Sequence, residues 1–228
     1  MITPYPSAQR GYADHGWLQS YHRFSFADYY DPEQMGISVL RVINDDRVMP
    51  GAGFGAHPHR DMEIVSYVLE GAIEHRDSMG NTSRLNAGEV QVMSAGSGIV
   101  HSEYNPSTDT PLHFLQIWIQ PDRAGYPPRY QQGDFSHLEG LNLVVGNDTD
   151  APLSLRQDAR IWQLRINDLS LDWVPKPDRQ YYLHLARGEL DLNGQSLSAG
   201  DGATIGNEPS LRLQTPTSAE GLLFELPR

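Results

Sequence analysis

Apolar residues along the chain fall in short runs of strand length, with no sustained helical spacing. Residues 37–43, 63–69, 90–93, 112–119 and 181–185 are rich in Val, Ile, Leu and aromatic side chains, the composition that suits a pleated, half-buried surface. Turn residues bound many of these runs, among them Glu70-Gly71, Met79-Gly80-Asn81, Asn193-Gly194 and Gly200-Asp201-Gly202. With 21 Gly and 16 Pro the chain is cut too often for long helices, and only the region 7–14 predicts a short turn. Strands punctuated at this spacing predict an all-β fold of antiparallel sandwiches or barrels.

The pattern repeats. Glu70-Gly71, Gly80-Asn81 and Leu85-Asn86-Ala87-Gly88-Glu89 lead into the run 90–93. Arg187-Gly188-Glu189, Asn193-Gly194 and Leu197-Ser198-Ala199-Gly200-Asp201 lead into 203–205 in the same order. One β-fold duplicated in tandem explains this punctuation. The polar, proline-bearing stretch 120–140 reads as the linker, which gives domains at 1–130 and 131–228.

Composition narrows the chemistry. With no cysteine, disulfides, thiolate ligands and a cysteine nucleophile are excluded. A formal net charge of −12 without a Lys/Arg cluster argues against direct nucleic-acid binding. No apolar run is long enough to cross a bilayer, and the first residues lack the basic and apolar parts of a signal peptide. The expectation is a cytoplasmic protein, and a monomer because no large apolar face is signalled.

Two short motifs stand out. In extended backbone alternate side chains share a face, so His57 and His59 of His57-Pro58-His59 point the same way, as do His101 and Glu103 of His101-Ser102-Glu103. Set on neighbouring strands, the two pairs make a three-histidine, one-carboxylate site of the kind that takes Fe(II), Mn, Ni, Co, Cu or Zn. Gly51, Gly53 and Gly55 precede the first pair and permit a close approach. The remaining histidines, including His75, His113, His15, His22, His137 and His184, show no same-face partner and read as structural. Phe114, Gln116 and Trp118 share one strand face, suited either to lining a pocket for a flat aromatic or to filling the barrel interior.

This layout resembles the cupin superfamily, whose first motif runs G-x5-H-x-H-x(3,4)-E-x6-G. Gly51, His57, His59 and Glu63 match it, but seven residues separate Glu63 from Gly71. The departure resembles the pirin family's version of the motif, as do the segments 94–103 and Phe24-Ser25-Phe26-Ala27-Asp28-Tyr29-Tyr30-Asp31-Pro32. The resemblance is close over the first half of the chain and loose over the second. It implies a bicupin, two antiparallel jelly-roll or β-barrel domains in tandem. One divalent metal ion, Fe(II) by preference, would be held by His57, His59, His101 and Glu103, with no ligands in the second domain. Glu63 becomes either a structural carboxylate or one that orients an imidazole N–H.

For bacterial pirins the resemblance further implies quercetin 2,3-dioxygenase activity, with a flavonol-like substrate and O2, and with Glu103 as the base. Two other readings stay open: a redox-sensing iron protein acting through protein partners, and a cupin enzyme of another reaction type.

Overall fold

A computed structural model of the chain describes residues 1–147 and 151–228. Apart from the 3-10 turn Ser7–Gln9, every regular element is a strand. No helix among the described residues is long and apolar enough to cross a membrane.

The chain divides into two compact units. The first comprises Gly11–His137 with Leu153–Gln157, and the second Met1–Arg10, Leu138–Pro152 and Asp158–Arg228. Two differences from the division expected at 130 have structural causes. The strand Ile2–Tyr5 pairs antiparallel with Gly202–Ile205, so the first residues complete the second unit. Glu63 accepts a hydrogen bond from the Arg156 backbone N–H at 3.1 Å, which fastens the segment 153–157 to the first unit.

The first unit has a seven-stranded and a four-stranded antiparallel sheet. The seven run in the order Arg129–Asp134, Glu89–Ser94, Glu63–Glu70, Leu112–Ile119, Leu40–Val48, Leu18–His22 and Gly11–Asp14, and the four in the order Gly53–His59, Ile99–Tyr104, Ala72–Asp77 and Thr82–Asn86. Leu18, Val48, Val68, Leu112 and Phe114 from the larger sheet pack with Ile73 and Leu85 from the smaller into one buried cluster. Each side chain of this size contributes about 1.5–3 kcal/mol on burial. That cluster and a second one, of Ile64, Met93, Ala95 and Ile99, fill part of the interior, and buried polar groups occupy much of the rest.

Two segments differ from their sequence-based reading. Residues 129–134 of the expected linker form an edge strand against Glu89–Ser94. Their polar composition reflects one solvated face, not the absence of structure. The run expected to stop at Ile43 continues to Val48 through Asn44, Asp45 and Asp46, all three buried.

In the second unit Arg179–Leu192 lies between Gly202–Ile205 and Ser218–Pro227, which pairs in turn with Arg160–Asn167. A core of leucines and isoleucines joins Tyr181 and Ala203. The repeat is visible at Gly71 and Gly188, which have φ of 74° and 79°. A Cβ on the first would meet the Pro111 carbonyl oxygen at 2.6 Å, and one on the second the Ser218 carbonyl oxygen at 1.9 Å. Both glycines therefore need the left-handed backbone and the missing side chain. Gly188→Ala is expected to cost about 2 kcal/mol or more, read from the denaturant midpoint. A loss below about 0.5 kcal/mol would show that the strand can move aside.

Candidate metal centre

Strand register assembles the centre. In the smaller sheet His101 lies directly opposite His57 and Ile99 opposite His59, and the register shifts between His101 and Glu103. That bulge re-aims the residues on either side of it. The strands approach closely here: a Cβ on Gly53 would stand 2.3 Å from the Glu103 carbonyl oxygen. His57, His59 and His101 then share one face, their ring centroids 4.8, 4.4 and 4.9 Å apart.

The three imidazoles offer nitrogens that all lie within 4.8 Å of one another. Nε2 of His101 and Nε2 of His57 are 3.0 Å apart, a contact that needs a proton or a cation between them. Two nitrogens bound side by side to one ion at about 2.1 Å also stand about 3.0 Å apart, so the spacing fits a shared metal. His57 Nδ1 lies 2.7 Å from the Gly55 carbonyl oxygen, an acceptor that leaves Nε2 free as the donor to a metal. Burial, with His101 and His57 nearby, pulls His59 down to about 4. Burial, with His57 and His75, pulls His101 down to about 3. Both rings are neutral at pH 7, the form that binds metals.

Glu103 is buried and is held from the larger sheet. It accepts hydrogen bonds from Gln91 Nε2 at 2.7 Å and Ser66 Oγ at 3.2 Å, with Gln116 Nε2 at 3.5 Å. It groups with His101 and with His75, a second set of possible donors. Sequence reading set His75 aside; in the fold it lies opposite Glu103, with Asp77 Oδ2 3.2 Å from its Nε2 and the Tyr130 ring stacked on it at 4.6 Å. Only pairing of the Ala72–Asp77 and Ile99–Tyr104 strands brings it there.

Glu63 does not support an imidazole. It takes hydrogen bonds from Ser94 Oγ at 2.8 Å and the Arg156 N–H, and so anchors backbone. Its register opposite Ser94 and Ile119 places it in the seven-stranded sheet, whereas the three histidines stand on the four-stranded one.

Cross-strand register also produces a polar belt. Gln91 lies opposite Ser66, Ser66 opposite Gln116, Gln116 opposite Asn44 and Asn44 opposite His22. Part of it lines a cavity of about 670 Å³, bounded by Trp17, Phe26, Tyr29, Phe54, Trp118, Ser20, His22, Asn44, Asp46, Gln116 and the imidazoles of His57 and His59. That volume suits a drug-sized ligand. Gln116 and Trp118 thus line the cavity, and the Trp118 ring stands edge-on to His59 at 5.2 Å. Of the two readings open for Phe114 the fold supports barrel filling: it is fully buried in the apolar cluster, edge-on to Phe54 at 6.4 Å.

Asp46 lines the same cavity. It is buried beside Asp45 and Glu103, accepts a hydrogen bond from the Ser20 hydroxyl, and burial is the main cause that pushes it up to about 7. One such bond returns about 1.5–3 kcal/mol, less than the several kcal/mol that desolvating a carboxylate costs. The proton is therefore retained well above the usual carboxylate range.

Barrel-like antiparallel sheets with a histidine cluster at the inner end of a cavity define a two-domain cupin whose donor set lies in the first domain. The chain belongs to the pirin family: the Pirin profile matches residues 6–119, and that of the quercetinase C-terminal cupin domain matches residues 143–226. A protein named quercetin 2,3-dioxygenase from Escherichia coli K12 is 48% identical over 230 residues, covering 100% of this chain and 99% of its own length. A pirin-like protein from Caulobacter vibrioides is 44% identical over 233 residues, 99% of each chain. The crystal structure of the bacterial pirin YhhW from Escherichia coli in complex with nickel(II) superposes with a TM-score of 0.94 at 45% identity, covering 100% of this chain and 99% of that one.

The Asp46 environment predicts a pH effect. In the unfolded chain its carboxyl titrates near 3.8 and in the fold near 7, so between those values the fold holds the extra proton and stability falls as pH rises. In chelator-treated protein, Asp46→Asn is expected to raise stability by about 1–3 kcal/mol at pH 8 and by much less at pH 5. Equal gains at both, read by thermal unfolding, would contradict the assignment.

Proposed function

We propose that this protein is a metal-dependent dioxygenase that opens the heterocycle of flavonols such as quercetin, consuming O2 and releasing carbon monoxide. The carrying observation is the imidazole cluster of His57, His59 and His101 at the end of an aromatic-walled cavity; the family's quercetin 2,3-dioxygenase names support it. His57, His59, His101 and Glu103 would hold one divalent ion. Nitrogen and oxygen donors without thiolate accept Fe(II) or nickel(II) equally well in kind, and the Escherichia coli relative's nickel(II) complex is in keeping with that.

The bound ion would supply a Lewis acid for the hydroxyl-bearing edge of the flavonol and a partner for O2. The chain's own groups do the rest. Glu103 accepts the proton of the flavonol 3-hydroxyl as its base. Gln91 and Ser66 hold that carboxylate in place, so little is lost in ordering it. Trp118, Phe26 and Phe54 sandwich flat rings and keep water from the reacting carbon.

The test is oxygen uptake and carbon monoxide release by Fe(II)- or Ni(II)-loaded protein with quercetin, beside His101→Ala. Uptake that requires flavonol and falls at least about 100-fold in the variant is expected. Loaded protein that takes up no oxygen would sink the proposal.

A further inference from the structure

The cavity wall built by the Leu40–Val48 strand carries an acid that no cation of the protein neutralises. Asp46 is 2% exposed and lines the cavity, yet the ionised neighbours acting on it are the acids Asp45 and Glu103. Its sequence neighbour Asp45 faces the opposite side of the sheet and is paired with His113 Nε2 at 2.6 Å. The two residues have the same side chain and similar burial, and only the one facing the cavity lacks an imidazole partner.

The groups around Asp46 are already committed. Ser20 gives its hydroxyl proton to Asp46 Oδ1, and Asn44 Oδ1 lies 2.8 Å from His22 Nδ1. Asp46 Oδ2 has no donor among the described residues. A carboxyl oxygen without a protein partner, set in a wall whose surroundings include Trp17, Phe26 and Tyr29, matches a flat ring that brings its own hydroxyl, to which Oδ2 donates when it keeps its proton and from which it accepts when ionised. Water cannot supply the same selectivity, because a ring lacking the hydroxyl would displace it and leave that oxygen bare.

We infer that Asp46 is a specificity-determining residue that hydrogen-bonds a second phenolic hydroxyl of the substrate, one other than the hydroxyl presented to the imidazoles. The cavity thereby takes polyhydroxylated flavonols in preference to those with a single hydroxyl, and the second contact fixes which way round the ring system enters. This rests on the flavonol reading of the site for the identity of the ring, but not on turnover.

Binding is measured on metal-loaded protein without oxygen, where nothing turns over, through quenching of tryptophan fluorescence; Trp17 and Trp118 both line the cavity. The probes are quercetin and 3-hydroxyflavone, which keeps only the 3-hydroxyl. The native protein is expected to prefer quercetin by at least about tenfold. Asp46→Leu is expected to bring the preference to within about threefold by weakening quercetin alone, whereas Asp46→Asn keeps an acceptor oxygen and retains most of it. Should the Leu variant fail to fold, Asp46→Ala gives the same comparison. No preference in the native protein, or an equal loss for both ligands in the variants, overturns the inference. Oxygen uptake on the same preparation separates the two readings. Preference without uptake sinks the dioxygenase and upholds the role of Asp46, and uptake without preference does the reverse.

Discussion

The site depends on one constraint, the pairing of Ile99–Tyr104 with Gly53–His59 in a register that sets His101 opposite His57 and then slips before Glu103. Strand alternation alone would give two independent pairs of side chains. The register joins three imidazoles, and the slip frees Glu103 to reach Gln91 and Ser66 on the other sheet. Gly53 makes this approach feasible, since a Cβ there would run into the Glu103 carbonyl. The donors are thus prearranged by backbone hydrogen bonds, and a metal would not have to order them.

A second consequence follows from the sandwich interior being shared between apolar clusters and a polar belt. Around Phe114, Val68 and Ile73 the sheets meet through hydrophobic contact, which supplies the stability. Elsewhere the facing side chains are Gln91, Ser66, Gln116 and Asn44, in register across neighbouring strands. Burying this belt costs free energy unless each member finds a partner. Most members do, and Asp46 beside them retains a proton instead. Polar groups are tolerated inside because the cavity is a binding surface, and their cost is offset by the apolar clusters.

Much of this was legible in the sequence. The strand 112–119 has its observed bounds in the sequence pattern, and the motifs at 57–59 and 101–103 single out the three imidazoles that lie together, because period-two alternation is a local property; Glu103 groups with His101 and His75 instead. Legibility failed where a residue's meaning depends on a distant strand. The apolar run breaks off before Asn44-Asp45-Asp46, because a polar run inside a strand makes sense only once its faces are known. Two partners of His75, Glu103 and Tyr130, are far along the chain, whereas Asp77, two residues on in the same strand, is a same-face partner that the spacing makes legible. Glu63 stands on the other sheet from the histidines and Phe114 is enclosed by apolar neighbours, and residue type reports neither.

The measurement that tests the central claim most directly is anomalous diffraction, at the metal edge, from crystals of protein loaded with one equivalent of Fe(II) or Ni(II). The account predicts one ion per chain, with nitrogens of His57, His59 and His101 and an oxygen of Glu103 within about 2.0–2.3 Å. An ion bound elsewhere, or a site at the imidazoles that stays empty with metal in excess, would contradict it.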